Sequence, residues 1–114
     1  MDRFTSEDIE YFHVIIHLME NILKTDKKII LTLDTKLFNK YVKKPIQPDS
    51  EWGGCIRESG MVWLNEKDLA KRERAFVVSI LIHEILHIKY PKKPETWIES
   101  TTSYYINAHN GIYK

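Results

Sequence analysis

The sequence predicts an α+β domain: a small, mostly antiparallel sheet packed against an N-terminal helix, a buried central helix and a C-terminal helix. Three observations predict it. Residues 5–25 and the stretch from Asn65 to about Ile88 repeat their apolar residues at helical spacing. KKIILTLD (27–34) and GCIRESGMVWLN (54–65) are short, apolar and β-branched, with turn residues between them. A chain of 114 residues, 43% of them apolar, can bury one modest core but not two, so residues 1–114 form a single domain.

The elements follow in order. Thr5 or Ser6 caps the first helix, with Glu7, Asp8 and Glu10 in or near its opening turn. Ile9, Phe12, Ile16, Met19 and Ile22 or Leu23 then recur on one face, enough for five to six turns. KKIILTLD reads as a strand, and KLFNKYVKK (36–44) leaves a short helix open. PIQPDSEWGG (45–54), with two Pro and two Gly, is a loop. GCIRESGMVWLN reads as two strands around a turn at Glu58-Ser59-Gly60. Asn65 can cap the next helix, with Asp68 three positions on, and helical character continues to about Ile88 before Pro91 and Pro94 stop it. Glu95 opens the last helix, ETWIESTTSYYINAH, which ends near Asn110-Gly111.

Composition narrows the function. A net charge of +1 gives no general argument for a nucleic-acid or membrane partner. The one cysteine, Cys55, excludes an internal disulfide and fits a reducing compartment. The polar start MDRFTSEDIE does not read as a signal peptide. The longest apolar run, Ala75 to Ile82, is far short of the roughly 20 residues that span a bilayer. The expectation is a soluble, cytoplasmic protein with no membrane partner; the sequence sets no oligomeric state.

The chemistry concentrates in HEILH, residues 83–87, within the otherwise apolar run FVVSILIHEILHIKYP. Residues four apart share a helix face, so His83 and His87 can aim ring nitrogens at one point. Glu84 is turned about 100° from His83, which suits it to a water near that point better than to the point itself. This is the HExxH pattern of two zinc ligands and a general base. A core histidine is more often a satisfied hydrogen-bonding residue than a ligand. The buried glutamate weighs against that ordinary reading, because an unpartnered carboxylate in an apolar site is costly. HVIIH (13–17) serves as an internal control. His13 and His17 have the same spacing but no following glutamate, and they read as structural, with a supporting place beside the site as the alternative.

MVWLNEKDL and ILIHEILHIKYP together resemble the zincin metallopeptidases, in particular the small SprT-like and related minimal zincins, over residues 54–110. The resemblance implies a zincin-like fold, a Zn2+ cofactor and hydrolysis of protein or peptide substrates. It makes His83 and His87 metal ligands and Glu84 the catalytic base. The chain departs from the family at the third ligand, where PKKPE (91–95) holds no histidine. A catalytic zinc needs three protein ligands. Glu99 ranks first, because ESTTSYY resembles the glutamate-bearing second helix of gluzincin-type members; Glu95 follows, then His109. Tyr104, Tyr105 and His109 are candidates to steady the oxyanion, and the strand near Met61–Leu64 could pair with an extended substrate. Two other classes remain: a metal-binding or interaction module without peptidase activity, and a nucleic-acid-associated protease hinted at by KYVKK, KRER and KYPKK.

Overall fold

The amphipathic start of the chain forms the helix expected of it. In the structure, a computed structural model that describes residues 3–42 and 51–109, α1 spans Ser6–Leu23. Thr5 is its N-cap, and Thr5 and Asp8 exchange side-chain-to-backbone bonds of 3.0 Å each. Phe12, Ile15, Ile16, Met19 and Leu23 are buried, so Leu23 and not Ile22 completes the core face. Lys24 ends the helix in the left-handed region at φ 51°.

After β1 (Ile30–Thr32) the short helix left open by the sequence is present: α2 spans Thr35–Tyr41, capped by Asp34 through a 3.1 Å bond from the Leu37 amide. Residues 43–50, which hold most of the expected Pro-rich loop and both lysines ending KYVKK, lie outside the described residues. β2 (Gly53–Ile56) and β3 (Met61–Leu64) form the expected hairpin. Gly60 closes its turn at φ 77°, where an L side chain is strained and a Cβ would lie 2.5 Å from the Lys28 carbonyl oxygen.

The sheet is mixed, which corrects the mostly antiparallel expectation. Its order is β1-β3-β2, with β2 antiparallel and β1 parallel to β3. The crossover from β1 through α2 and β2 is long enough to bring β3 back in the direction of β1. Alternation then gives each face its own core. Val62 and Leu64 join the main core with α1 and the central helix, while Trp63 and Ile56 pack on Phe38 of α2. Trp63 is fully buried, stacks on Phe38 at 5.8 Å and donates its indole N–H to Thr35 Oγ1 at 3.1 Å.

The expected single helix from Asn65 to Ile88 is two helices. α3 covers Glu66–Leu69 and α4 covers Arg74–Lys89. Residues 71–74 are four consecutive charges, and a continuous helix would turn at least one of them into the core. The break instead leaves Arg72 over the Trp52 and Phe76 rings and Arg74 on Asp8 at 2.8 Å. α4 packs against α1, β2, β3 and α5 (Glu95–His109). Val77, Val78, Leu81, Ile82, Ile85 and Leu86 are buried around it. No helix among the described residues is long and apolar enough to cross a membrane.

Close approach of α4 to the sheet depends on Gly53. A Cβ there would lie 2.9 Å from the Trp63 carbonyl oxygen and 3.0 Å from Ile80 Cγ2. We therefore expect Gly53→Ala to lower stability by ~1–3 kcal/mol through overpacking, measured by urea denaturation. Asp8 supplies a second expectation. Burial raises its carboxyl, but bonds from Thr5 and Arg74 outweigh this and the net shift is downward. A folded-state value below the unfolded one stabilises above the unfolded value and is lost as pH falls through the folded one. The melting-temperature gap between the wild type and Asp8→Asn should accordingly be larger at pH 7 than at about pH 3.

Candidate metal centre

His83 and His87 project from the last two turns of α4 toward the first turn of α5. The spacing of one helical turn brings their Nε2 atoms to 3.2 Å from each other. The five residues between Lys89 and Glu95 include two prolines and reverse the chain. Glu95 is therefore delivered to the same end of α4. Its carboxylate oxygens lie 2.6 Å from His83 Nε2 and 3.0 Å from His87 Nε2.

These three groups are the His/Cys/Asp/Glu cluster that could hold a metal among the described residues. One Glu95 oxygen meets each imidazole, and a ligand atom from each of the three residues lies within 4.8 Å of the others, close enough to share one ion. Two imidazoles and a carboxylate also form a donor set that suits zinc. Glu95 is more than half exposed, which leaves that side of the cluster open. Burial lowers the His87 pKa against the pull of Glu95, favouring the neutral ring that a ligand must be. His87 Nδ1 is buried with no hydrogen-bond partner among the described residues, so packing holds that side of the ring while Glu95 meets the other nitrogen.

Glu84 lies on the sheet side of the same helix and lines a cleft together with His87. Cys55 shares a sheet face with its cross-strand partner Val62, toward α4, and its thiol hydrogen-bonds Glu84. Burial pushes the Glu84 pKa up to about 7; the thiol opposes this, while Glu95 and Glu51 add to it. Burial and the neighbouring Glu84 push the Cys55 thiol up to about 12. Glu84, His87 and Cys55 share the wall of an open cleft of about 850 Å³ with Tyr41, Met61 and Arg57.

Of the sequence candidates, His83 and His87 stand together with Glu95, and Glu84 lies beside them on the cleft wall. Glu99, ranked first as third ligand, is exposed and lies outside the cluster. His109 is fourteen residues along α5 from Glu95, about 21 Å of helix axis. Tyr104 and Tyr105 lie about 13–15 Å along the same axis. Tyr104 is 67% exposed, and Tyr105 lines an apolar pocket between α1 and α4. His13 and His17 stand on the exposed side of α1, where His13 bonds the Ile9 carbonyl and His17 meets Glu20. The Met61–Leu64 strand is central and has both edges paired, so it cannot take a substrate strand. β1 and β2 are the edge strands, and β2 is the one that packs on α4. The Asn65 amide bonds the Trp52 carbonyl, and alternation from that pair turns the backbone groups of Gly53 and Cys55 outward.

Sequence reasoning assigned no role to Cys55 beyond the missing disulfide. Its signal was the hairpin register, which puts residue 55 opposite 62 and facing the HExxH helix. The geometry sets an expectation for zinc. His83→Ala and His87→Ala should each abolish stoichiometric metal in elemental analysis. Glu95→Gln should weaken zinc binding by about tenfold or more, while Glu99→Gln leaves it unchanged. No family model, curated protein or solved structure matches this chain.

Proposed function

We propose that the chain is a zinc-dependent peptidase of the HExxH type. The observation that carries this reading is the convergence of His83 Nε2, His87 Nε2 and the Glu95 carboxylate beside a cleft that also exposes Glu84. The resemblance of residues 54–110 to minimal zincins supports it. His83, His87 and Glu95 would hold the ion. Zinc bound there would supply Lewis-acid polarisation of a carbonyl and a more acidic water.

The remaining work falls to the chain's own side chains. Glu84 lies one residue from the first histidine and on the cleft side, so its carboxylate can take the proton of an attacking water. It then returns that proton to the leaving amine. The buried α4 backbone holds Glu84 in place, and the Cys55 thiol hydrogen-bonds its carboxylate. The outward backbone groups of Gly53 and Cys55 give an extended peptide a strand to pair with, at the edge next to the same helix.

Glu84→Gln tests this role. The amide keeps the shape of the side chain and can still hydrogen-bond water, but it cannot accept a proton. The variant should retain its zinc and its melting temperature while losing cleavage of casein or unfolded protein. Loss of zinc in Glu84→Gln would overturn the assignment of base and ligands. Zinc in the wild type with no cleavage of any unfolded substrate would favour the module without peptidase activity.

A further inference from the structure

Beside the catalytic cleft is a smaller pocket of about 190 Å³ whose walls come from three connections of the fold. Thr25, Asp26 and Lys27 lie between α1 and β1, Arg57 follows β2, and Lys89 and Pro91 lie at the end of α4. Three cations, Lys27, Arg57 and Lys89, face one carboxylate, Asp26. The two ammonium groups are held by backbone carbonyls: Lys27 Nζ on Arg57 O at 3.2 Å and Lys89 Nζ on Lys24 O at 3.2 Å. A carbonyl fixes the position of an ammonium group without neutralising it. Arg57 lines this pocket and the cleft alike, and its guanidinium hydrogen-bonds the Cys55 thiol that touches Glu84.

We infer that Lys27, Arg57 and Lys89 form a cationic subsite that selects substrates carrying a carboxylate next to the bond presented to Glu84. The inference rests on the peptidase reading for its biological sense but is testable by binding alone. Position identifies the occupant. A peptide paired with the free edge of β2 runs past Ile56 directly to Arg57, so a neighbouring substrate residue would place its side chain in the pocket. A carboxylate matches the guanidinium fork and two fixed ammonium groups. A nucleic acid is a poorer fit. The pocket is small and holds no aromatic side chain on which a base could stack, and the chain's net charge is +1. Of the other basic runs, KRER spends Arg72 on aromatic rings and Arg74 on Asp8.

The experiment uses the full zinc-loaded chain carrying Glu84→Gln, so that bound peptide is not consumed. Fluorescein-labelled octapeptides of Ala and Ser carry one Glu, Gln or Lys at successive positions, all as C-terminal amides. A further peptide has no acidic side chain but a free C-terminal carboxylate. At about 0.1 M salt the best-placed Glu peptide should bind about tenfold tighter than its Gln counterpart in fluorescence anisotropy, with Lys weakest. Tighter binding of the free-carboxylate peptide than of any Glu amide would identify a chain terminus as the source of the carboxylate, and supports the subsite equally. Adding Arg57→Glu should reverse the order of the Glu and Lys peptides. Arg57 is exposed, so zinc content and melting temperature of that variant verify an intact fold.

Equal affinity for Glu, Gln and Lys peptides overturns the inference, as does an order that Arg57→Glu leaves unchanged. Tighter binding of a single-stranded DNA octamer than of every acidic peptide, lost in Arg57→Glu, overturns it in favour of nucleic acid. Cleavage of casein by the wild type without any charge preference leaves the peptidase reading standing and removes the subsite. Selective binding of acidic peptides without cleavage leaves the subsite and removes the peptidase.

Discussion

Helix α4 is enclosed by α1, α5 and the sheet, and most of its side chains must therefore be apolar. A carboxylate carried on such a helix needs a polar partner or a cation, because its ionised form loses water and receives little in return. Glu84 illustrates the constraint. It lies against a thiol, a weak hydrogen-bond donor, and its pKa rises to about 7. The neighbouring histidines occupy the end of the same helix, and Glu95 meets them from the first turn of α5. A helix that only filled the core would have no use for these residues. Their placement at its open end is what a site built on a rigid, deeply anchored element requires.

The sheet is subordinate to this helix. Its alternation divides Val62 and Leu64 from Trp63, so one face packs on α4 and the other on α2. Gly53 then allows the edge strand to lie directly against the helix. That approach sets Cys55 against Glu84 and leaves the outer backbone of β2 beside the cleft. The same hairpin delivers Arg57 from its turn to the boundary of two cavities. The edge strand, Cys55 and Arg57 are thus positioned by one short antiparallel pair.

Much of this was legible in the sequence, for identifiable reasons. The α1 face and its Thr5 cap follow from local spacing and short-range hydrogen bonds. The hairpin follows from a glycine turn between two apolar runs, and the meeting of His83 and His87 from helical periodicity alone. The break at residues 70–73 was not read, because it contains neither Gly nor Pro; the charged run at residues 71–74, opposed to a core, interrupts the helix there. The parallel pairing of β1 was hidden because it joins residues about thirty positions apart, beyond any local pattern. The ranking of Glu99 over Glu95 relied on resemblance and on a view of Glu95 as an ordinary first-turn acid. Which carboxylate meets the histidines depends on how sharply Pro91–Pro94 turns the chain, and spacing does not state that angle.

The thiol beside Glu84 has a consequence for redox chemistry. Only a thiolate attacks disulfides or reacts quickly with peroxide, and a thiol held near 12 is almost entirely protonated at neutral pH. Cys55 lines an open cleft, yet it is a slow nucleophile there and a poor soft ligand for a metal. The carboxylate that accepts its hydrogen bond also keeps the sulfur from acquiring charge. The chain's one cysteine can therefore line an open cleft beside Glu84 and stay a protonated hydrogen-bond donor at neutral pH.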